Sequence, residues 1–501
     1  MTKTRSTTMK EKITKLASWL TLAAFVAARP AFADDAMMSM VKSMQDSMKE
    51  MQQIIRQQGE KIQKLESRPA VASVASIPSG TEGAAAPATM SEYDFNTMLD
   101  SSLAGSQKWL KNLKFSGDFR LRYEAFEYDS GSPSETDDRN RFRYRLRFGF
   151  EKKFSDQMDI GFGLASGENT GTNGLNVDPT STNTTFDNNF NFKAINIEKA
   201  WARYQPDFLA NRWVLKKTQI VAGKMNNLFE KGSSDMIWDR DVKPEGLQEN
   251  MTFDFYDGEN FDLAGFVTLG QFILDEDASR GGDANLFAYQ FGINPVVYTP
   301  VMERPVDLTQ AFSFYDFGDY AARSNFIIGG SSLARGNVNT DGLTTELDAG
   351  KFKILESYTE VAIYPMGLPV RAFADIAGNP SDAANGFNET GALKTLHRSK
   401  DTDMAYAFGG KLGGINKKGD WETSWTWKTI GANSVVGAFN DSDFGDGHAG
   451  KRGQVIKAGY AITDNLTLNS ALFFVKNLNP GSSSIVDQNQ NRFQVDMVWK
   501  F

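Results

Sequence analysis

The chain has 501 residues, of which 41% are hydrophobic and 12% aromatic, and its formal net charge at pH 7 is -8. After the first apolar run, no segment approaches the ~20 consecutive apolar residues of a membrane-spanning helix, so a helical membrane protein is excluded. The negative charge argues against a nucleic-acid partner, and the absence of cysteine excludes disulfides, thiol-linked haem and thiolate metal sites.

Residues 1–33 are predicted to be a cleavable secretory signal peptide. The apolar run Leu16 to Ala28 follows a lysine- and arginine-containing start and precedes Ala31-Phe32-Ala33, which has the small-x-small pattern of a cleavage site. The alternative, an N-terminal membrane anchor, fits poorly because the run is too short to span a bilayer. We therefore expect an exported protein whose mature chain starts at Asp34.

Residues 34–67 are predicted to form a short α-helical coiled coil. Apolar side chains recur there at alternating spacings of four and three, as in a coiled-coil seam, although Gln58 interrupts the seam and Gly59 weakens it. The seam consists of Met37, Val41, Met44, Met48, Met51, Ile55, Ile62 and Leu65. A single amphipathic helix on a membrane surface is the alternative, but acidic and basic residues are mixed on its outer face.

Two segments separate this coiled coil from the next domain. Residues 68–90 are rich in alanine, serine, proline and glycine, a composition typical of a flexible linker. Residues 91–113 are predicted to contain a short helix whose role the sequence leaves open.

Residues 114–501 are predicted to form an all-β transmembrane barrel of about 16 antiparallel strands, with a range of roughly 14 to 18. In Phe115 to Ala125 the odd positions are apolar or small and the even ones polar, and Arg141 to Glu151 repeats this alternation. Short polar turns alternate with long polar loops, which is typical of an outer-membrane barrel and not of a soluble β-sandwich. Strands can cross a bilayer only when closed into a barrel, so the charged face must line the interior.

The other predicted strands show the same period of two. They are Met158 to Ser166, Ile195 to Tyr204, Thr218 to Met225, Leu247 to Tyr256, Phe261 to Leu274, Leu286 to Val297, Ile354 to Tyr364, Pro369 to Ile376, Met404 to Leu412, Trp421 to Thr429, Gln454 to Ile462, Leu466 to Phe474 and Arg492 to Phe501. The pattern blurs between Tyr298 and Gly350, where Asn325 to Ser331 is the one plausible strand.

Three segments of the sequence resemble a porin family found in diverse proteobacteria. They are the C-terminal strand Phe493 to Phe501, the acidic stretch Asp441 to Gly447 and the stretch Trp238 to Gly246. The resemblance implies that the barrel-assembly machinery recognises the strand ending at Phe501. It also implies that Trp238 to Gly246 lies in a third long loop that narrows the pore, and that the usual state is a homotrimer.

The candidate pore-lining residues are six arginines on one face of the first two strands: Arg120, Arg122, Arg141, Arg143, Arg145 and Arg147. Arginines in a confined pore stabilise anions, so they suggest anion preference. Alternatively, Asp118, Glu124 and acidic residues of the third loop neutralise them and leave little selectivity.

The candidate constriction-loop residues are Asp235, Asp239, Arg240, Asp241 and Glu245. The acidic members would face the arginines across the pore, or else this stretch is a solvated external loop. The Asp441, Asp443 and Asp446 cluster does not match a calcium-binding EF-hand, because Arg452 stands where the required glutamate would be. No metal site, cofactor or catalytic constellation is therefore expected, and the two histidines fall in predicted loops.

Function is predicted to be passive diffusion of small hydrophilic solutes or ions through an outer-membrane porin of a Gram-negative bacterium. The alternatives are a channel selective for oxyanions such as phosphate, and a structural barrel that anchors the coiled coil; an outer-membrane enzyme is disfavoured. The expected partners are outer-membrane lipid, lipopolysaccharide, the assembly machinery and further copies of the chain. The coiled coil would lie in the periplasm.

Overall fold

A computed structural model of the protein describes residues 112–129, 138–168, 178–276, 283–299, 304–318, 327–328, 331–332, 337, 352–380, 403–478 and 489–501. All of them belong to one compact unit, Leu99–Phe501. The predicted signal peptide, coiled coil and linker lie outside the described residues. So does the predicted helix at 91–113, except for Asn112 and for Leu113, which begins the first strand.

Sixteen long strands are present in the described part of the chain. They are β1 (Leu113–Asp129), β2 (Arg139–Lys153), β3 (Met158–Ser166), β4 (Ile195–Tyr204), β5 (Leu215–Lys224), β6 (Glu245–Asp257), β7 (Phe261–Asp275), β8 (Ala284–Val297), β9 (Val306–Gly318), β10 (Lys353–Ile363), β11 (Val370–Gly378), β12 (Met404–Gly413), β13 (Trp421–Ile430), β14 (Lys451–Ala461), β15 (Leu466–Asn477) and β16 (Asn489–Lys500).

Each strand pairs antiparallel with its neighbours in sequence, and the last strand pairs with the first. The closing register between β1 and β16 runs from Asp118 opposite Lys500 to Asp129 opposite Asn489. The sheet is therefore a closed barrel without free edges. The backbone hydrogen-bonding groups of every strand are satisfied by the two neighbouring strands. The predicted antiparallel barrel of about 16 strands is confirmed.

The connections fall into two classes at the two ends of the barrel. Turns such as 154–157, 258–260 and 462–465 are short, whereas alternate connections such as 167–194 and 225–244 are long. Both ends of the barrel domain, the start of β1 and the end of β16, lie at the short-turn end. This is the alternation that the sequence predicts.

The ninth strand lies elsewhere than the sequence pattern suggested. It spans Val306–Gly318, whereas Ile327–Ile328 pairs only with Ser331–Ser332 in a separate two-stranded sheet. The prediction of a barrel strand at Asn325 to Ser331 was wrong. Alternation in β9 is hidden because its inward face also carries aromatic residues, Tyr315 and Phe317, which are buried against loops inside the barrel.

Side-chain burial in the barrel is the reverse of that in a soluble protein. Large apolar side chains such as Phe148 (41% exposed) and Phe312 (58%) are exposed on the outer face. Polar side chains such as Thr268 (0%) and Lys428 (1%) are buried on the inner face. An apolar exterior around a polar interior is the arrangement of a barrel surrounded by lipid. Among the described residues, no helix is long and apolar enough to cross a membrane.

Candidate functional site

The six predicted pore-lining arginines lie together on the inner face of β1 and β2. The register pairs Arg120 with Arg145 and Arg122 with Arg143 directly across the two strands. Like charges placed directly opposite each other destabilise a sheet unless other groups compensate them. The environment of each arginine therefore decides the electrostatics of this wall.

We call these six arginines the arginine stripe. Carboxylates from the same two strands compensate the charge of some of its members. Asp118 accepts hydrogen bonds from Arg145 at 2.7 Å and from Arg147 at 2.8 Å. Glu124, which is fully buried, forms an ion pair with Arg141. The compensation is local, because the register places these carboxylates one cross-strand row away from the Arg120–Arg145 and Arg122–Arg143 pairs.

Residues distant in sequence compensate the rest. Both oxygens of Asp496 on β16 accept hydrogen bonds from Arg122 at 2.7 Å. Arg143 lies 3.2 Å from a carboxylate oxygen of Glu168, and Arg120 donates to Asn183 and lies 3.8 Å from Asp496. Each of the six arginines therefore has at least one carboxylate oxygen within 4 Å.

The loop 225–244, between β5 and β6, joins opposite walls of the barrel. Its Asp241 lies 3.2 Å from Arg147 on β2, and its Asp235 lies 2.8 Å from Lys428 on β13. Its Ser234 hydroxyl donates a 2.6 Å hydrogen bond to Asp375 on β11. These contacts hold the loop across the interior of the barrel, and it is the third long connection in the chain.

Two further loop segments interlock with the third loop, and we call the three segments 178–185, 225–244 and 431–450 the loop junction. The backbone N–H of Asp239 donates to the carbonyl of Phe439 at 2.7 Å, and that of Asp441 donates to Asp235 at 3.2 Å. From the segment 178–185, the Thr182 hydroxyl donates to Asp241 at 3.2 Å. Three loop segments are therefore hydrogen-bonded to one another inside the barrel.

An apolar cluster inside the barrel supports the loop junction. Phe229 is fully buried, with its ring centroid 5.8 Å from that of Tyr315 on β9, and Trp238 lies 5.6 Å from Phe439 in the loop 431–450. Ring pairs at these separations contribute favourably beyond the area they bury. The junction is thus packed as well as hydrogen-bonded.

Burial and neighbouring charges shift the pKa values of two carboxyls of the loop junction in opposite directions. Burial raises the pKa of the Asp239 carboxyl well above its usual range, and the neighbouring carboxylates of Asp241 and Asp441 raise it further. Burial opposes ionisation of Asp241 as well, but the charges of Arg145 and Arg147 outweigh it and hold its pKa below the usual range. Asp239 therefore favours the protonated form, whereas Asp241 favours the charged form.

The remaining loop candidates are placed differently. Arg240 is exposed and makes no ion pair with another described residue. Glu245 is the first residue of β6, is 63% exposed, and pairs with Lys224 at 2.7 Å. The carboxylates of the acidic stretch Asp441 to Gly447 are used in ion pairs, such as that of Asp443 with Arg492 at 2.8 Å. No group of three or more potential metal ligands occurs among the described residues.

A family model described as "Putative porin" matches residues 131–351 and 357–501, which is most of the chain. The chain belongs to this porin family. It is accordingly an outer-membrane channel and not an enzyme.

Solved structures of other porins align with this porin at low identity. OprB of Pseudomonas putida, in a high-pH structure, is 11% identical with a TM-score of 0.44, over 79% of this chain and 96% of that one. OmpF of Salmonella typhi, in complex with daunomycin, is 10% identical with a TM-score of 0.41, over 78% and 97%. A triple mutant of the Rhodopseudomonas blastica porin is 11% identical with a TM-score of 0.34, over 78% and 100%. No match is found among curated proteins.

Several residues of the porin interior were not singled out from the sequence. Arg492 donates to Glu124 at 2.6 Å, and Lys428 pairs with both Asp235 and Asp441 at 2.8 Å. Arg492 is polar at an inward position of a strand that the sequence does predict, which is the one local signal that could have identified it. Nothing local to Lys428 indicates its partners, because they belong to two different loops.

Proposed function

We propose that the protein forms a water-filled channel through which small hydrophilic solutes and ions diffuse passively, with weak charge selectivity and without a cofactor. Membership of the porin family and a barrel of 16 strands support an aqueous lumen, because a barrel of this size is too wide for side chains alone to fill. We propose that the loop junction forms the narrowest part of this lumen.

The observation that supports weak charge selectivity is that the arginines of the stripe are paired with carboxylates. Every arginine of the stripe has a carboxylate oxygen within 4 Å. Compensated arginines leave a small net field for a passing ion, whereas an oxyanion channel requires several free cations that converge at one point. This pairing favours a general channel over the oxyanion-selective alternative and over anion preference through the stripe.

Single-channel recording in planar bilayers tests the proposal. We expect discrete open steps in potassium chloride and a reversal potential near zero in a salt gradient. A strongly anion-selective reversal potential that is lost in Arg143→Ala/Arg145→Ala would instead support the stripe as a selectivity element. Folded protein without conductance would favour the structural anchor.

We further propose that residues 1–33 direct export, that the assembly machinery recognises Phe501, and that the barrel resides among outer-membrane lipid and lipopolysaccharide. Phe501 donates to the carbonyl of Gly117 at 3.1 Å and accepts from its N–H at 2.9 Å, so it completes the closing seam. Deletion of Phe501 should reduce the amount of folded barrel in the outer membrane. The matched control is Phe115→Ser, which removes another exposed phenylalanine near the same end of β1.

Finally, we propose a homotrimer with the coiled coil at 34–67 on its periplasmic side. Cross-linking of the full mature chain in membranes should give three linked copies. The same experiment on a chain lacking residues 34–67 tests whether the coiled coil contributes to assembly, since a barrel-driven trimer would persist without it.

A further inference from the structure

A recess lies in the inner wall of the barrel where β13, β14, β15 and β16 meet, and its volume is about 200 Å³. Register defines its floor as two adjacent cross-strand rows. One row contains Glu422, Gly459 and Asn469, and the other contains Ser424, Lys457 and Ala471.

The recess is lined by one small inward side chain, Ala471, where larger inward side chains surround it. Gly459 lies opposite Asn469, and Ala471 lies opposite Lys457. A Cβ atom at Gly459 would come within 2.8 Å of the Asn469 side-chain oxygen, so the glycine makes room for the Asn469 side chain at the edge of the recess. A larger residue in place of Ala471 would fill part of the recess.

The carboxylates that line the recess are already engaged. Glu422 lies 2.7 Å from Lys411, Asp443 lies 2.9 Å from Arg122, and Asp496 lies 2.7 Å from Arg122. A cationic solute would have to compete with these ion pairs. The acidic residues therefore do not make this a cation site.

The ammonium group of Lys457 is the charge in the recess with unused hydrogen-bonding capacity. Among the described residues its nearest carboxylate oxygen, from Asp235, is 3.9 Å away, and the side chain is 49% exposed. Beside it, the Ser424 hydroxyl makes no hydrogen bond with another described residue, and the Asn469 amide oxygen is likewise open. One face of the recess is apolar, where the Lys457 ammonium lies 6.0 Å from the centre of the Phe473 ring.

We propose that this recess is a binding subsite for a small hydroxylated monocarboxylate on its way through the channel. The carboxylate would accept charge-assisted hydrogen bonds from Lys457, and the hydroxyls would bond to Ser424 and Asn469. At about 30 Å³ for each water-sized group, the volume holds a solute of roughly seven heavy atoms, which is the size of glycerate. The inference rests on the proposed diffusion function, of which it names one solute class.

Calorimetric titration of the folded full-length protein in detergent tests the subsite independently of conductance. The probe is D-glycerate, and the matched neutral probe is glyceramide, which has the same shape and no charge. We expect saturable binding of glycerate and at least about tenfold weaker binding of glyceramide, because the charge-assisted contact is lost.

Two variants examine the subsite in independent ways. Lys457→Gln removes the ammonium and should weaken glycerate binding about tenfold, whereas Ala471→Leu fills the recess and should abolish binding of both probes. The matched control is Arg371→Gln, because Arg371 is also an inward cation that is half exposed and paired with one carboxylate, Glu360. Glycerate binding should be unchanged in this control.

Equal binding of the two probes, or equal loss in Lys457→Gln and Arg371→Gln, would overturn the subsite, since either result points to the general field of the lumen. Potassium chloride conductance separates this outcome from failure of the proposed function. Conducting channels that do not bind glycerate contradict only the subsite. Folded protein that binds glycerate but shows no conductance contradicts the channel and leaves the binding site in place.

Discussion

Individual side chains on the inner wall work in compensated pairs, and Asp241 is central to them because it lies within 3.9 Å of both Arg145 and Arg147. Asp241 also accepts a hydrogen bond from Thr182, which ties the second loop to the third. Removing one such carboxylate changes the local charge by one unit while the shape of the side chain is kept.

Asp241→Asn should therefore make the channel more permeable to anions. A unit charge at roughly 5 Å contributes about 0.8 kcal/mol in water, which corresponds to about a fourfold change in local anion concentration. The measurement is the reversal potential in a potassium chloride gradient. Asp156→Asn is the control, because Asp156 is an exposed carboxylate that pairs with Lys153 in a short turn. An equal shift in both variants, or no shift in either, would contradict a role for Asp241.

The lowered pKa of Asp241 predicts that the loop junction becomes less stable at acidic pH. A carboxyl whose folded-state pKa is lowered stabilises the structure fully above its ordinary pKa of about 3.9, and the contribution is lost as pH falls from that value through the lowered folded-state pKa. Burial opposes this charge, but Arg145 and Arg147 outweigh it. Single-channel conductance should stay constant from neutral pH to about 5 and become unstable below about 4. Asp241→Asn should lose part of this response, and an identical pH profile in the variant would contradict the assignment.

At the scale of elements, the third loop is an inward-folded part of the interior and not a solvated external loop. Phe229 is buried, and its carbonyl accepts a 2.9 Å hydrogen bond from Gln290 on β8. The same packing explains why β9 escaped the sequence pattern: its inward aromatic residues meet the loop instead of water.

Phe229→Ala should loosen the third loop without opening the barrel. Truncating a buried phenylalanine costs about 3 to 5 kcal/mol, and this cost falls on the loop packing. Trypsin should then cleave at Lys231, Arg240 or Lys243 in folded protein. Phe190→Ala is the control, because Phe190 lies in the second long loop and is fully exposed. Resistance equal to that of the unmodified protein would show that Phe229 does not hold the loop.

At the scale of the whole molecule, closure of the barrel is what permits an apolar outer face and a polar interior. Strands that close on each other leave no unpaired backbone, so the outer face can be apolar while the interior holds buried ion pairs. The outward Phe312 and the inward Thr309 of β9 lie on opposite faces of the sheet.

Phe312→Lys should destabilise the barrel in lipid by about 2 to 4 kcal/mol if residue 312 lies near the bilayer midplane, because the charge faces the hydrocarbon. Thr309→Lys places the same charge three residues away on the inner face and should cost far less. Urea unfolding of both variants in lipid vesicles measures the difference. Equal destabilisation would contradict the assigned faces of the sheet.

The sequence by itself determined the barrel, an approximate number of strands and the side of the sheet on which most residues lie. It could do so because the boundary between lipid and water acts on every residue locally and imposes a period of two. Where loops fold against the wall, as at β9, that boundary is absent and the pattern fails. Only the tertiary structure decided which arginines are compensated, because partners such as Arg122 and Asp496 are 374 residues apart. The recess likewise depends on strand register, since Lys457 and Ala471 become neighbours only when β14 pairs with β15.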